Sequence, residues 1–249
     1  MMRIPYHLTV LLISLIYSYD ASAQVDFTNN EAQFNDEHPG LVTQDFSVSD
    51  FSPGETECCE VPVDENSDDL CFSPGQILPG IQFQNGPVPA DFGICLAGPD
   101  SLGNNNPIDV LIAESFSLDF ETVFPGDNVR AVGLRAGCLF DFGGPCSTVI
   151  EVRVFGPGNA DLGATDLGVT DQFDSFIGIE STVSIKRIRL SNLGDPSLKG
   201  VGEVRFEGAG RGRENIPTLS ELGMIAAAAG LGMIGVLYAV RKRRVQAGS

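Results

Sequence analysis

"TVIEVRVF", residues 148–155, decides the fold class. β-branched apolar residues recur among the charged Glu151 and Arg153. Val149, and Ile150 with it, falls beside Val152 and Val154. A β-strand points successive side chains to opposite faces, so this run makes a strand with one apolar and one wet face. Its neighbours repeat the pattern. "SFSLDF" (115–120) aligns Phe116, Leu118 and Phe120, and "VRAVGLRA" (129–136) leaves the turn "FPGDN". "FDSFIGI" (173–179) follows. "VSIKRIRL" (183–190) sets Val183, Ile185, Arg187 and Arg189 against Ile188 and Leu190, and "VGEVRFE" (201–207) closes the series. The first half is looser, with one strand within 41–51 and long loops at 52–76 and 97–107.

Gly and Pro punctuate these runs as "SPGE", "SPGQ", "NGPVP", "GNNNP" and "FGPGN", while helix signals are nearly absent from 24–215. Short strands separated by turn residues indicate an all-β domain. Nine or ten strands suit two packed sheets, a β-sandwich or jelly roll.

The ends of the 249-residue chain do not belong to that domain. Residues 1–23 combine Arg3, an apolar core at 8–16 and the small-x-small pattern Ala21-Ser22-Ala23. This is the form of a signal peptide, which leaves Gln24 as the mature start. Residues 222–240 carry no charge, and Arg241, Lys242, Arg243 and Arg244 follow at once. Nineteen helical residues span about 28 Å, close to a bilayer's hydrocarbon thickness. A basic cluster stays on the cytoplasmic side, so the segment reads as a transmembrane helix with the domain outside and the 241–249 tail inside. Residues 24–209 form the outer domain and 210–215, "GRGREN", a linker.

Residues 24–215 hold 31 acidic and 10 basic residues, a formal charge of −21. Phosphate contacts need Lys and Arg, so this surface excludes nucleic acid and anionic lipid as partners. It favours solubility outside the cell and diffuse attraction of divalent cations. All six cysteines lie here: Cys58, Cys59, Cys71, Cys95, Cys138 and Cys146. An even number in an exported chain implies disulfides rather than a metal site, as no C-x-x-C pair accompanies them. Cys138 and Cys146 flank a short loop, and Cys58 or Cys59 with Cys71 would close "EVPVDENSDDL". Six cysteines allow 15 pairings, and spacing does not choose among them.

Catalytic constellations are missing from the sequence. The outer domain has one histidine, His38, in the turn-like "NDEHPG", and it reads as a surface residue. No G-x-S-x-G, H-E-x-x-H or P-loop occurs. The chain is therefore read as non-enzymatic, with no catalytic residue. All 16 Phe fall in 24–215, whereas all four Tyr fall outside it and Trp is absent. Phe usually enters the core, so the usual aromatic platforms for sugar stacking are lacking. No cofactor is implied apart from calcium. "DENSDD" (64–69) and "PDSLGNNN" (99–106) are oxygen-rich, and Asp64, Asn66 and Asp68 fit the first three ligand positions of an EF-hand loop. Asp69 and Gly75 stand where that motif needs Gly and Glu, so the match fails as a motif and leaves only a candidate loop.

"IPTLSELG", residues 216–223, precedes the apolar run. Ile216, Pro217, Thr218, Leu219, Ser220, Glu221 and Gly223, then the helix and the basic stop, resemble the IPTL-CTERM protein-sorting tail of Gram-negative bacteria. That family is related to the PEP-CTERM signals, and it usually has Trp where this chain has Leu222. The resemblance covers 216–249 and implies recognition by an exosortase- or sortase-like protease, then delivery to the cell surface or extracellular matrix. The β-rich body is similar, less specifically, to bodies carried by PEP-CTERM-type proteins, implying a galactose-binding-like sandwich. The expectation is an exported surface or matrix structural or adhesive module. The alternative is a glycan- or calcium-dependent ligand-binding module, with extracellular polysaccharide as the partner.

Overall fold

The computed structural model describes residues 24–47, 55–86, 93–98, 109–113, 115, 119–126, 128–139, 145–193 and 197–208. The signal segment, the linker, the sorting motif, the apolar helix and the basic tail all lie outside these residues. Among the described residues no helix is long and apolar enough to cross a membrane.

Thirteen strands, one short α-helix and a 3-10 turn at Pro157–Asn159 make up the described elements. The strands are β1 (Val25–Thr28), β2 (Val42–Asp45), β3 (Thr56–Cys59), β4 (Gln82–Asn85), β5 (Ile94–Ala97), β6 (Val110–Ala113) and β7 (Phe120–Val123). The later ones are β8 (Ala131–Leu139), β9 (Ser147–Phe155), β10 (Asp161–Thr170), β11 (Ser175–Ser181), β12 (Arg187–Asn192) and β13 (Leu198–Phe206). Helix α1 (Glu31–Glu37) lies between β1 and β2. One sheet runs β1-β11-β8-β13-β6-β5-β3, with β2 also pairing β13. The other runs β10-β9-β12-β7-β4. The pairings between these strands are antiparallel.

The alternation read from the sequence places the core. Val132, Leu134 and Ala136 of β8 and Val201, Val204 and Phe206 of β13 face one way. Ile150, Val152 and Val154 of β9 and Ile188 and Leu190 of β12 meet them in a single buried cluster. The chain is thus a two-sheet antiparallel sandwich closed over apolar side chains, the arrangement that sheets with one wet face require. Phe rings bridge short elements in the same core: Phe46 packs on Phe83 at 5.5 Å and Phe124 on Phe206 at 5.7 Å.

Several expectations change. In β9 the core residue is Ile150, and Val149 is 46 % exposed on the outer face, because a strict period of two cannot place Val149 with Val152. Ile185 does not share the Arg187/Arg189 face. It precedes β12, donates its backbone N–H to Val129 O at 2.7 Å, and turns fully inward. The 52–76 region is not all loop, since Thr56–Cys59 forms β3. Of the strand expected at 115–120, β7 takes only Phe120 and continues to Val123, and Phe116 and Leu118 lie outside the described residues. The ten-residue β10 follows "DLGATDLGVT", whose scattered apolar residues hide it.

Helix α1 departs from the all-strand pattern of the sequence. Asn30 caps it, its side chain accepting from the Gln33 backbone N–H at 3.2 Å, a local bond that satisfies a free helix-end donor. Phe34, its one buried residue, lies on the outer face of the larger sheet over Gly133 and Gly178. A Cβ at Gly178 would stand 2.4 Å from Phe34 Cδ2, so only glycine leaves this hollow. Gly137 does the same for Phe173, where a Cβ would lie 2.4 Å from the ring.

The three disulfides are Cys58–Cys95, Cys59–Cys71 and Cys138–Cys146. The last staples the loop read from the sequence, and Cys59 rather than Cys58 closes the acidic loop. Cys58 and Cys95 stand directly opposite each other on β3 and β5, a partnership set by strand register and not by spacing.

Candidate functional site

Two polar regions stand out. The first is a cleft of about 730 Å³. It lies where β1 and β11 of one sheet approach β10 of the other, and Thr28, Asn29, Glu31, Asp166, Asp174 and Ser175 line its polar wall. Strands β1 and β10 end their respective sheets, so the cleft follows the open side of the sandwich. Hydroxyl, amide and carboxylate groups there can accept or donate hydrogen bonds to a polar ligand.

Glu31 is fixed by two cations. Arg135 of β8 donates from Nη2 to both of its oxygens, at 2.8 and 3.0 Å, and Arg205 Nη2 of β13 lies 2.7 Å from Oε1. Burial alone would raise the Glu31 carboxyl, but the hydrogen bonds and charges of Arg135 and Arg205 outweigh it and hold it below the usual range. Arg205 also donates to Asn35 Oδ1 at 2.7 Å and pairs with Glu203. The first turns of α1 are thereby bolted to the sheet, and one wall of the cleft is held in place.

The second region is the outer face of the smaller sheet. Register puts Gln84, Glu121, Arg189 and Arg153 in one row across β4, β7, β12 and β9. Glu121 is only 1 % exposed. It accepts from Arg189 Nε at 2.7 Å, from Arg187 Nη1 at 3.4 Å and from Gln84 Nε2 at 3.1 Å. Both guanidinium groups also cover the Phe155 ring, at 4.3 and 5.1 Å from its centre. A carboxylate can be buried at this depth because opposite charges and hydrogen bonds surround it. The ring that a sugar would stack on is already capped by arginine.

The calcium candidates stand apart. Asp64 Oδ1 accepts from the Asn66 backbone N–H at 2.8 Å and its Oδ2 from Gln82 Nε2 at 3.0 Å, so its carboxylate organises the loop. Asn66 and Asp68 are exposed. The 99–106 loop lies outside the described residues.

Among the described residues, one group of three potential ligands converges: Glu37, His38 and Glu180, whose donor atoms all lie within 4.8 Å of one another. The reading of His38 as a surface residue is corrected here, because its side chain is only 10 % exposed. It ends α1, where its backbone N–H bonds Phe34 O at 2.9 Å. Its imidazole packs on the Phe34 ring at 4.7 Å. The sequence shows His38 and Glu37 as neighbours, but Glu180 is brought in from β11, and only strand pairing reveals it.

Asp109, Asp171 and Lys199 are also buried, and burial shifts the first and last of them. Asp109 at the start of β6 is pushed up to about 6 by burial. Lys199 of β13 is brought down to about 8 by burial, partly offset by the charge of Asp119.

No protein-family model matches the chain, and no curated protein matches it in sequence.

Proposed function

We propose that this is an exported, non-enzymatic envelope protein, sorted by the IPTL-type signal at 216–249 and acting as a structural or adhesive module at the cell surface or in the extracellular matrix. The observation that carries the reading is the order of the tail: motif at 216–223, uncharged run at 222–240, then Arg241, Lys242, Arg243 and Arg244. The three disulfides fit an oxidising compartment outside the cytoplasm, the destination that the N-terminal segment implies. The sandwich with its strongly acidic surface suits a soluble body carried on a tether. In finer fold terms we read it as a galactose-binding-like jelly roll.

Mechanistically, export places the body outside the inner membrane while the helix and basic tail hold it there. Pro217 has no backbone N–H to continue a helix, so it suits a break or a first turn at the membrane boundary. A break there would open the chain to a membrane-embedded protease of the exosortase or sortase kind. Cleavage frees the body for attachment or release.

The test is replacement of residues 216–219 by alanines in the native host, followed by surface labelling of intact cells. The reading expects surface label to fall and full-length protein to accumulate in the inner membrane. Unchanged surface label would overturn it.

A second reading, binding of glycans, is favoured by the hydroxyl- and carboxylate-lined cleft between β1 and β10, to which Asn29 adds one amide. Glycan-array binding that Asn29→Ala and Asp174→Ala remove would support it. Binding that survives both changes would count against it.

A further inference from the structure

We propose that Glu37, His38 and Glu180 form a binding site for one divalent transition ion of the Zn²⁺ class.

The geometry starts from two matched periods. Residues four apart in a helix share a face, and residues two apart in a strand share a face. Phe34 and His38 of α1 therefore stack along the outer face of β11 above Gly178 and Glu180. Phe34 drops into the glycine hollow and fixes the helix, which carries the imidazole down to Glu180. The β11 backbone is paired on both sides, with Asp26 of β1 and Ala131 of β8 opposite Glu180, so this ligand sits on a rigid support.

His38 Nε2 carries the argument. It is buried, and no acceptor meets it with hydrogen-bond geometry. Glu180 Oε1 is 2.8 Å away but off the line of an N–H donor. A buried polar atom left without a hydrogen bond costs roughly 1–3 kcal/mol, a cost that an ion bridging the nitrogen and the carboxylate would remove. A metal ion can bridge them, because it binds the nitrogen lone pair and needs no N–H axis. Glu37 completes the set from the exposed side, and Gln33 Nε2 steadies its Oε1 at 2.9 Å. Outer hydrogen bonds of this kind orient metal ligands. The Glu180 side chain is 41 % exposed, which leaves a path for the ion from solvent.

The donor set chooses the ion. One imidazole nitrogen with two carboxylates suits Zn²⁺ and its neighbours, with a water in the fourth position. Calcium takes six to eight oxygens and has no use for the imidazole. Two carboxylates and a neutral imidazole carry −2, which a divalent ion cancels. Bound there, the ion would clamp the C-terminal end of α1 to β11. Arg135 and Arg205 already clamp the other end through Glu31, a residue of the cleft wall.

The test uses the full chain, purified in detergent without a histidine tag, with disulfides intact and metals stripped by chelator. Zn²⁺ is titrated calorimetrically and thermal melting is followed with and without it, with Mg²⁺ as the control for diffuse binding to the acidic surface. The expected result is one saturable Zn²⁺ per chain, a raised Tm, and binding at least about tenfold weaker in both His38→Gln and Glu180→Gln. The imidazole resonance of His38 should shift on Zn²⁺ addition and not on Mg²⁺ addition. Should His38→Gln fail to fold, the exposed Glu37→Gln supplies the same comparison. Zn²⁺ binding that matches Mg²⁺ binding, or that is unchanged in these variants, would overturn the proposal.

Discussion

The two halves of the sandwich are built differently. Strands β1 to β7 are each four residues long, whereas β8 to β13 run from six to ten. Long strands hold their register through many ladder bonds and a repeated apolar face. Strand β10 alone pairs nine of its residues with β9. Four-residue strands cannot do this for themselves. The early half instead carries two of the three disulfides, Cys58–Cys95 and Cys59–Cys71, and borrows buried Phe rings from its loops. Covalent staples thus stand in for ladder length.

Breaking a staple should hurt the early half most. Cys58→Ser with Cys95→Ser removes a link across a sequence separation of 37, which corresponds to roughly 4 kcal/mol in a chain-entropy estimate. Removing Cys138 and Cys146, only 8 apart, should cost about 2.5 kcal/mol by the same estimate. Hydrogen exchange should show β3 and β5 losing protection in the first variant while β9 and β10 keep theirs. Equal loss in both regions would dissolve the distinction.

The halves are joined across the smaller sheet, where Glu121 of β7 meets Arg189 of β12. Glu121→Ala takes the buried carboxylate from two guanidinium groups, leaving Arg189 with Asp119 at 3.7 Å, and should cost about 3 kcal/mol, read from chemical denaturation. A loss below about 0.5 kcal/mol, the level of an exposed pair, would show that the row does not tie the halves together.

Within the long-strand half, the hollow under Phe34 should tolerate no methyl group. Gly178→Ala puts a Cβ within 2.8 Å of Thr28 Cγ2 and closer still to Phe34, and should destabilise by about 1–3 kcal/mol. Gly168, which has open space at the same atom, is the matched control.

The smallest effect tests a short strand's buried charge. Asp109 binds its proton more tightly when folded, about 6 against an unfolded value near 3.9. Its contribution therefore worsens as pH rises from about 4 to about 6 and stays unfavourable above that. Asp109→Asn should be more stable than the parent by about 1 kcal/mol at pH 7, with the gain fading below pH 4. A gain that persists at pH 3 would assign the effect to packing instead.

The same division explains what the sequence discloses. Strands β9, β12 and β13 are legible because charged residues alternate with Val, Ile and Leu, and β8 and β11 because their apolar runs are bounded by turn signals. Strand β10 hides behind Gly163 and Gly168 and a polar composition, because an edge strand needs little burial. Four-residue strands such as "TECC" and "VLIA" are too short to show a period, and tertiary pairing makes them strands. Helix α1 is legible in retrospect from Asn30 as cap. Its seven residues are stabilised by Phe34 in a hollow whose glycines lie about a hundred residues or more downstream. The candidate ion site shares this limit, since Glu180 joins Glu37 and His38 only through the pairing of β11.

Intact mass of the protein from its native host, taken fraction by fraction, decides whether the tail is a processing signal. The expected result is a surface or released species that starts at Gln24, lacks 222–249 and ends near residues 216–219, or is extended there by an attached group. Its mass should also be six hydrogens lower than that of the reduced form, for three disulfides. A mass running from Gln24 to Ser249, confined to the inner membrane, would contradict it and make the tail a plain anchor.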